Sequence, residues 1–345
     1  MLDLPMPARA AALGGTTMSI WGDDINLYFS NPALLNRYAV KQLAMNYSNY
    51  VADINYGNIA YALNLKNGAT VAAGLQFLNY GKFDRRDEYD VSYGKFNAAD
   101  YCFNLSIAKP FKDTSFNIGA TLKTIYSHYD SYYAFGNAID LGVNWHHKSG
   151  FTASLLVKNV GVIWKPYNKG SDKELLPNDA QLGISYKVKK APFRLIFVYD
   201  ELNPKHWDLT YLSSLSDTST VDPFNSSKAP KDPTKWQKFK TNFKADANKF
   251  ALHTIIATEV VLTKNFNIRI GYNYRLHKEM MLPDKRGGNG ITFGFGIGIN
   301  RFRFSYAFAK QAVAGNSNVF SITTNLGTYI KPERKKKEAE TTVNP

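Results

Sequence analysis

Apolar and polar residues alternate one for one along much of this chain, and this alternation limits the fold more than any other feature. The clearest example lies between Asn265 and Arg275, where alternate positions are aromatic or aliphatic: Phe266, Ile268, Ile270, Tyr272 and Tyr274. A period of two places successive side chains on opposite faces of a β-strand. The chain is therefore predicted to consist of strands with one apolar face and one small or polar face.

Fourteen strand candidates are separated by turn signals. They span about 41–50, 55–65, 69–82, 96–109, 114–127, 132–146, 150–162, 178–188, 191–199, 252–262, 265–276, 289–299, 301–310 and 317–329. Connections after even-numbered strands are short, and the long ones follow odd-numbered strands, near 83–95, 163–177, 200–251 and 277–288. An even strand number with short turns at one rim and long loops at the other is typical of outer-membrane barrels. A β-sandwich is the alternative, and it does not explain this parity.

The predicted fold is thus an all-β, fourteen-stranded transmembrane outer-membrane β-barrel. In such a barrel the apolar face meets lipid and the polar face meets the lumen. The residues predicted to face lipid are Phe266, Ile268, Ile270, Phe293, Phe295, Phe302 and Phe304. Arg269, Asn273 and Arg303 are predicted to face the lumen. No stretch approaches the eighteen apolar residues of a membrane helix, and the aromatic content of 14% suits interfacial girdles.

About forty residues of different character precede the first strand. Asn31, Pro32 and Ala33 indicate the start of a short helix, with Asn31 as its cap and Pro32 in its first position. Because this segment is too small to fold alone, it is predicted to plug the lumen, and a disordered leader is the alternative. The expected division is a plug at 1–40, a barrel at 41–329 and a basic periplasmic tail at 330–345.

The long loop at 200–251 contains the pattern of a basic amphipathic helix. Its apolar residues recur at three- and four-residue spacing, at Trp236, Phe239, Phe243, Ala247 and Phe250, and lysines occupy other positions. Trp236, Phe239 and Phe243 are the candidates for binding a partner. The helix could instead lie on lipopolysaccharide or cap its own barrel.

The sequence holds no pattern for catalysis, for a cofactor or for a metal. Asp23–Asp24 and His146–His147 are neighbours, and neighbouring residues of an extended chain point to opposite sides. We therefore predict that the protein is not an enzyme, and that the single cysteine, Cys102, only fills space on the polar face. Lysine and arginine are spread along the chain, so the formal charge of +14 favours outer-membrane lipid, lipopolysaccharide or an acidic partner over nucleic acid.

The first residues do not have the pattern of a secretory signal. An outer-membrane barrel requires export, so the sequence is expected to be a mature or N-truncated form.

Several segments resemble the PorV/PorQ family of the type IX secretion system, in order along nearly the whole chain. The N-terminal run from Leu4 to Gly15, Asp23–Asp24 and Asn31–Leu34 resemble that family's plug. Further matching segments are Ala52–Gly57, Asn79–Phe83, Ala98–Tyr101, Leu122–Ser127, Val157–Gly161, Ala191–Arg194 and Trp207–Tyr211. The resemblance implies a fourteen-stranded FadL-like barrel with a plug.

The same resemblance implies a function without turnover. The protein would be an outer-membrane component of the attachment complex and would anchor a PorZ-like surface protein. PorU and PorV would act beside it in processing secreted cargo and joining it to lipopolysaccharide. The alternative is a FadL-like transporter of small hydrophobic compounds, because fold alone does not determine function.

Overall fold

The computed structural model describes residues 1–51, 54–111, 115–168, 173–202, 250–280, 290–312 and 315–329. Fourteen antiparallel strands close into a barrel. They are β1 (Gln42–Asn49), β2 (Asn55–Asn64), β3 (Thr70–Arg86), β4 (Ser92–Phe111), β5 (Phe116–Tyr129), β6 (Tyr132–His146), β7 (Phe151–Lys165), β8 (Asp179–Lys187), β9 (Phe193–Tyr199), β10 (Thr254–Val261), β11 (Phe266–Asn273), β12 (Ile291–Ile299), β13 (Phe302–Ala312) and β14 (Gly315–Asn325).

Each strand pairs with its neighbours in sequence, and β1 also pairs with β14, which closes the barrel. The register at closure sets Gln42 opposite Asn325 and Asn49 opposite Asn318. A fifteenth strand, Glu174–Leu175, has two residues and pairs only with the end of β7. The predicted fourteen-stranded barrel is confirmed. Among the described residues, no helix is long and apolar enough to cross a membrane.

The two faces of the wall follow the sequence alternation. Of the residues predicted to face lipid, Ile270, Phe293, Phe302 and Phe304 are exposed on the outside, and Phe266, Ile268 and Phe295 are partly covered by their neighbours. Arg269 and Asn273 are buried on the inside. An outer band of large apolar side chains around a closed sheet is the surface that a bilayer covers.

The wall is much taller on one side than on the other. Strand β4 has 20 residues, whereas β9 has 7 and β10 has 8. The segment 83–95, predicted as a long loop, is mostly strand: β3 and β4 stay paired up to Arg86 and Ser92, with only 87–91 between them. Beyond the membrane both faces of a hairpin meet water, so the apolar alternation that marks the other strands is absent there.

Strand β11 is also shorter than predicted. It ends at Asn273, whose side chain accepts a hydrogen bond from the Leu276 N–H and so begins helix α2 (Tyr274–Glu279). The C-terminal ends of the odd-numbered strands lie together at one end of the antiparallel barrel, which is called the long-loop rim below. The opposite edge, with the turns after even-numbered strands, is the short-turn rim.

The N-terminal residues lie inside the barrel as the plug. They form helix α1 (Ala8–Ala12) and three short 3₁₀ helices, Ile25–Phe29, Pro32–Leu34 and Arg37–Ala39. Apolar side chains of the plug pack against inward-facing residues of the wall, in a core of Leu13, Met18, Ile20, Leu27, Leu34, Leu156, Ile196, Val198, Ile255 and Ala257. The plug therefore folds on the barrel wall and supplies half of the core.

Candidate functional site

The Asn31–Ala33 element of the plug is held on the inner face of β5 and β6. The Asn31 Oδ1 accepts a hydrogen bond from the Ala33 N–H at 2.9 Å, and its Nδ2 donates to the Met18 carbonyl at 3.1 Å. Asn117 of β5 donates to the carbonyl of Ala33 at 2.6 Å. The cap thus begins the 3₁₀ helix Pro32–Leu34, and the wall fixes its position.

Two glycines on the wall make room for this element. A Cβ at Gly119 would overlap the backbone of Pro32 and Ala33, and a Cβ at Gly142 would overlap the Asn31 side chain. Helix α1 is seated in the same way, since a Cβ at Gly294 would lie 2.6 Å from the Ala12 Cβ. The inward glycines therefore form the seats of the plug.

Alanine at Gly119 should lower the free energy of unfolding by about 1–3 kcal/mol, because the new methyl group meets plug backbone that has no room to move. Urea unfolding of the protein in micelles measures the change. Gly298→Ala is the matched control, because its Cβ would meet nothing closer than the Asn265 Oδ1 at 3.4 Å. Equal stability of the two variants would contradict a tightly seated plug.

A buried cluster of charges joins the plug to three strands of the wall. Glu259 of β10 pairs with Arg9 of α1 at 2.7 Å, Arg194 of β9 at 2.6 Å and Arg269 of β11 at 3.0 Å. The Glu259 side chain is 2% exposed. Burial by itself would lower the pKa of Arg9, but the attraction of Glu259 raises it. The Glu259 cluster is thus the strongest polar link between plug and barrel.

A second ion pair joins the plug to β13. The two terminal nitrogens of the Arg303 guanidinium donate to the Asp23 carboxylate, Nη1 to Oδ1 at 3.4 Å and Nη2 to Oδ2 at 2.9 Å. Partial burial would raise the pKa of Asp23, but the Arg303 hydrogen bond and charge outweigh it and hold that pKa below its ordinary value. The pair therefore stabilises the plug above the ordinary pKa of an aspartate and is lost as the pH falls through the lowered value.

Between the plug and the long-loop rim lies a cavity of about 340 Å³, called the inner cavity. Charged side chains of both signs line it, among them Asp3, Lys123, Asp140, Lys158, Asp179 and Arg275. Lys158 pairs with Asp3 of the plug at 2.9 Å and with Asp179 at 3.4 Å. Lys123 pairs with Asp140 at 2.6 Å. Apolar side chains line the rest of the cavity, among them Leu4, Met6, Phe29, Leu156 and Ile255. The part that the ion pairs line suits water or polar groups.

A bulge in β7 brings Asn159 into contact with two of these charged groups. The register between β6 and β7 shifts between Ile139 and Leu141, and Asn159 has a φ of 58° there. Its N–H donates to Asp140 at 2.8 Å, and its Oδ1 accepts from Lys123 at 2.8 Å. A non-glycine residue with positive φ stores strain and is found at functional or tightly fixed positions.

A second cavity, of about 550 Å³, opens at the long-loop rim on the tall side of the wall. We call it the rim pocket, and it is lined by Tyr80, Asp100, Ser127, Tyr129, Tyr132, Tyr167 and Asn168. Four of these seven residues are tyrosines. Tyr80 lies in β3 and Tyr167 follows β7, whereas Tyr129 ends β5 and Tyr132 begins β6. Their meeting at one rim depends on the long pairing of these strands.

The other residues considered in the sequence do not come together as a site. Asp23 and Asp24 have different arginine partners, Arg303 and Arg9. His146 stacks on Trp21 of the plug, with ring centroids 3.9 Å apart. Cys102 is buried on the inner face. Within the described ranges, no three histidine, cysteine or acidic residues are placed to hold a metal ion. The partner-binding candidates Trp236, Phe239 and Phe243 lie outside the described residues.

No protein-family model matches this sequence, and no curated protein matches it. Among solved structures, the toluene transporter TodX of P. putida aligns over 94% of this chain and 99% of its own, with a TM-score of 0.54 and 11% identity. A TodX deltaS2 mutant, described as a monoaromatic hydrocarbon channel, covers 93% and 97% with a TM-score of 0.49 and 12% identity. A Pseudomonas aeruginosa FadL homologue covers 93% and 98% with a TM-score of 0.45 and 9% identity.

The likeness to TodX concerns the fold, because the identity is too low to carry a function. The chain has the barrel fold of TodX, and its own N-terminal residues form the plug inside that barrel. Its neighbour TodX is described as a transporter, and the likeness itself identifies no component of a secretion system.

Proposed function

We propose that the protein is a non-enzymatic component of the type IX secretion attachment complex in the cell outer membrane, where it anchors a PorZ-like surface protein. PorU and PorV would be its neighbours, and cargo would be processed and joined to lipopolysaccharide there. The observation that carries the proposal is the plug, which fills the lumen and is fixed by the Glu259 cluster. A filled lumen leaves the rims as the surfaces for other molecules.

The tall hairpin supports a docking role for the long-loop rim. The tip of the β3–β4 hairpin carries exposed apolar side chains, because Tyr89 and Val91 in the turn and Tyr93 at the start of β4 are 79%, 58% and 67% exposed. Exposed apolar residues grouped in one place mark surfaces that bind proteins. Tyrosine is also enriched among the residues that dominate binding energies. The candidates Trp236, Phe239 and Phe243 belong to the same proposal, as part of a connection that follows β9.

A pull-down from outer membranes tests this docking. We expect Tyr89→Ser with Tyr93→Ser, or a deletion of 213–250, to reduce the recovered surface partner at least about tenfold while the barrel still assembles, since such loops carry little of the fold's stability. Tyr38→Ser is the matched control, because Tyr38 is an exposed tyrosine of the plug. Recovery at wild-type levels with both the double serine variant and the deletion would exclude both elements as docking sites.

The second candidate function is transport of a small hydrophobic compound. The fold comparison supports it more directly than it supports attachment, because TodX is described as a toluene transporter. Paired ions in one part of the inner cavity, such as Lys158 and Asp179, oppose it, whereas the apolar side chains in the rest of the wall would accept such a compound.

Direct measurements separate the two functions. If the protein is an anchor, toluene uptake into cells should not depend on it, and the intact protein should show no large steady conductance in planar bilayers. Uptake that disappears with the gene and returns with the wild-type protein would favour the transporter. Large conductance of the intact protein would contradict a filled lumen.

A further inference from the structure

The rim pocket combines aromatic rings with one carboxylate. Tyr129 pairs across the sheet with Tyr132 and Ala98, and the next inward row below holds Ser127 opposite Asp100. Asp100 therefore lies beneath the tyrosines, toward the lumen. Phe83 and Phe96 pack against Tyr129 with ring centroids 6.0 and 5.6 Å away, so this part of the wall is fixed.

The Asp100 carboxylate has hydrogen bonds but no cation. Its Oδ2 accepts from the Tyr80 hydroxyl at 2.8 Å, and its Oδ1 accepts from the Ser127 hydroxyl. Among the described residues, no lysine or arginine nitrogen forms an ion pair with it within 4.0 Å. The basic residues of this rim have other partners, as Arg85 pairs with Asp130 and Lys165 lies over the Tyr133 ring. A half-buried carboxylate without a cation leaves the pocket with a negative potential.

Tyrosine rings add to this potential. The face of an aromatic ring is negative because of its quadrupole, and cages of several rings bind alkylammonium groups. Tyr129, Tyr132 and Tyr167 are each more than two-fifths exposed, so part of each side chain is open to a ligand. A volume of about 550 Å³ lies within the range of small-molecule sites.

We propose that the rim pocket is a binding site for an organic ammonium group, held by Tyr80, Tyr129, Tyr132 and Tyr167 around the Asp100 carboxylate. The group belongs either to a free amine or to a lysine side chain, which share the same chemistry. The cation would replace water beside Asp100 and complete an ion pair that the described part of the chain leaves open. This inference goes beyond the proposed function and holds independently of it, because neither attachment nor hydrocarbon transport requires a cation site.

Titration calorimetry of the purified protein in uncharged detergent micelles tests the proposal. Choline is the cationic probe, and 3,3-dimethylbutan-1-ol is its neutral isostere. We expect choline to bind at least about tenfold more tightly than the isostere, because only choline gains from the rings and the carboxylate. Capped lysine, Nα-acetyl-lysine methylamide, is the third probe. Stronger binding of capped lysine assigns the site to primary ammonium groups such as that of a lysine side chain, and stronger binding of choline assigns it to small quaternary ammonium compounds.

Variants of the pocket measure separately what the carboxylate charge and the tyrosine rings contribute to binding. Asp100→Asn removes the charge, keeps one acceptor oxygen and offers the other hydroxyl an amide N–H, and it should weaken choline binding about tenfold. Tyr132→Leu should weaken it as well, whereas Tyr132→Phe keeps the ring and should retain binding. Asp84→Asn is the matched control, because Asp84 already lies beside Arg86 and Lys95 and is outside the pocket.

Any of three results would overturn the proposal. The first is that choline and its isostere bind equally, and the second is that neither ammonium probe binds the wild-type protein. The third is that Asp100→Asn binds choline as tightly as the wild type does. Heat-modifiable migration in gels checks that each variant is a folded barrel. If Asp100→Asn does not fold, the comparison of choline with the isostere on the wild-type protein decides the question alone.

Discussion

Glu259→Gln should lower the free energy of unfolding by about 3–5 kcal/mol, the largest effect of any single substitution considered. Glutamine keeps the size of the side chain but removes the negative charge that Arg9, Arg194 and Arg269 share at hydrogen-bonding distance. Breaking a buried ion network on one side leaves uncompensated buried charge, which is strongly destabilising. Repulsion among the three arginines should also loosen the plug.

Urea unfolding in micelles measures the loss, and planar bilayers report the loosened plug as new conductance. Asp23→Asn is the control for removing a plug–barrel ion pair. Its carboxylate is 59% exposed, so the pair with Arg303 should contribute at most about 1 kcal/mol. If Glu259→Gln is as stable as Asp23→Asn and conducts no more than the wild type, the Glu259 cluster does not hold the plug.

Phe295→Arg should cost about 2–4 kcal/mol, because Phe295 lies at the middle of β12 on the outer face, where the bilayer is most apolar. Its ring packs beside Tyr306 with centroids 5.6 Å apart, so part of the loss comes from packing. Folding into lipid vesicles followed by denaturant titration measures the cost.

Ile299→Arg is the matched control for depth. Ile299 is the last residue of the same strand, is 54% exposed and lies at the short-turn rim. An arginine near the interface should cost roughly 0–1 kcal/mol. Equal costs at the two positions would show that β12 does not cross the membrane as described.

The alternation in the sequence was sufficient to predict the barrel, because a bilayer requires an apolar outer face on every strand that crosses it. The same reasoning failed for 83–95. There β3 and β4 continue beyond the lipid, and nothing forces their outer residues to be apolar. The cap at Asn31 was predictable because it depends on residues two positions apart.

The seats of the plug and the Glu259 cluster were not predictable from one sequence. Gly119 contacts Pro32 across 87 positions, and Glu259 contacts Arg9 across 250. No local pattern marks such pairs, since each member has ordinary neighbours. The inward glycines did give a signal, because alternate glycines on one face of a strand leave room for something close. Only the structure shows that the plug occupies that space.

The central claim is that this barrel works at its long-loop rim, with the lumen kept closed by the plug. The most direct test is native mass spectrometry of the protein extracted from outer membranes in mild detergent. The proposal predicts a complex with a surface protein at a fixed ratio, and with no small hydrophobic molecule retained. A barrel that carries no protein partner, and instead retains a hydrophobic compound at one molecule per chain, would contradict it.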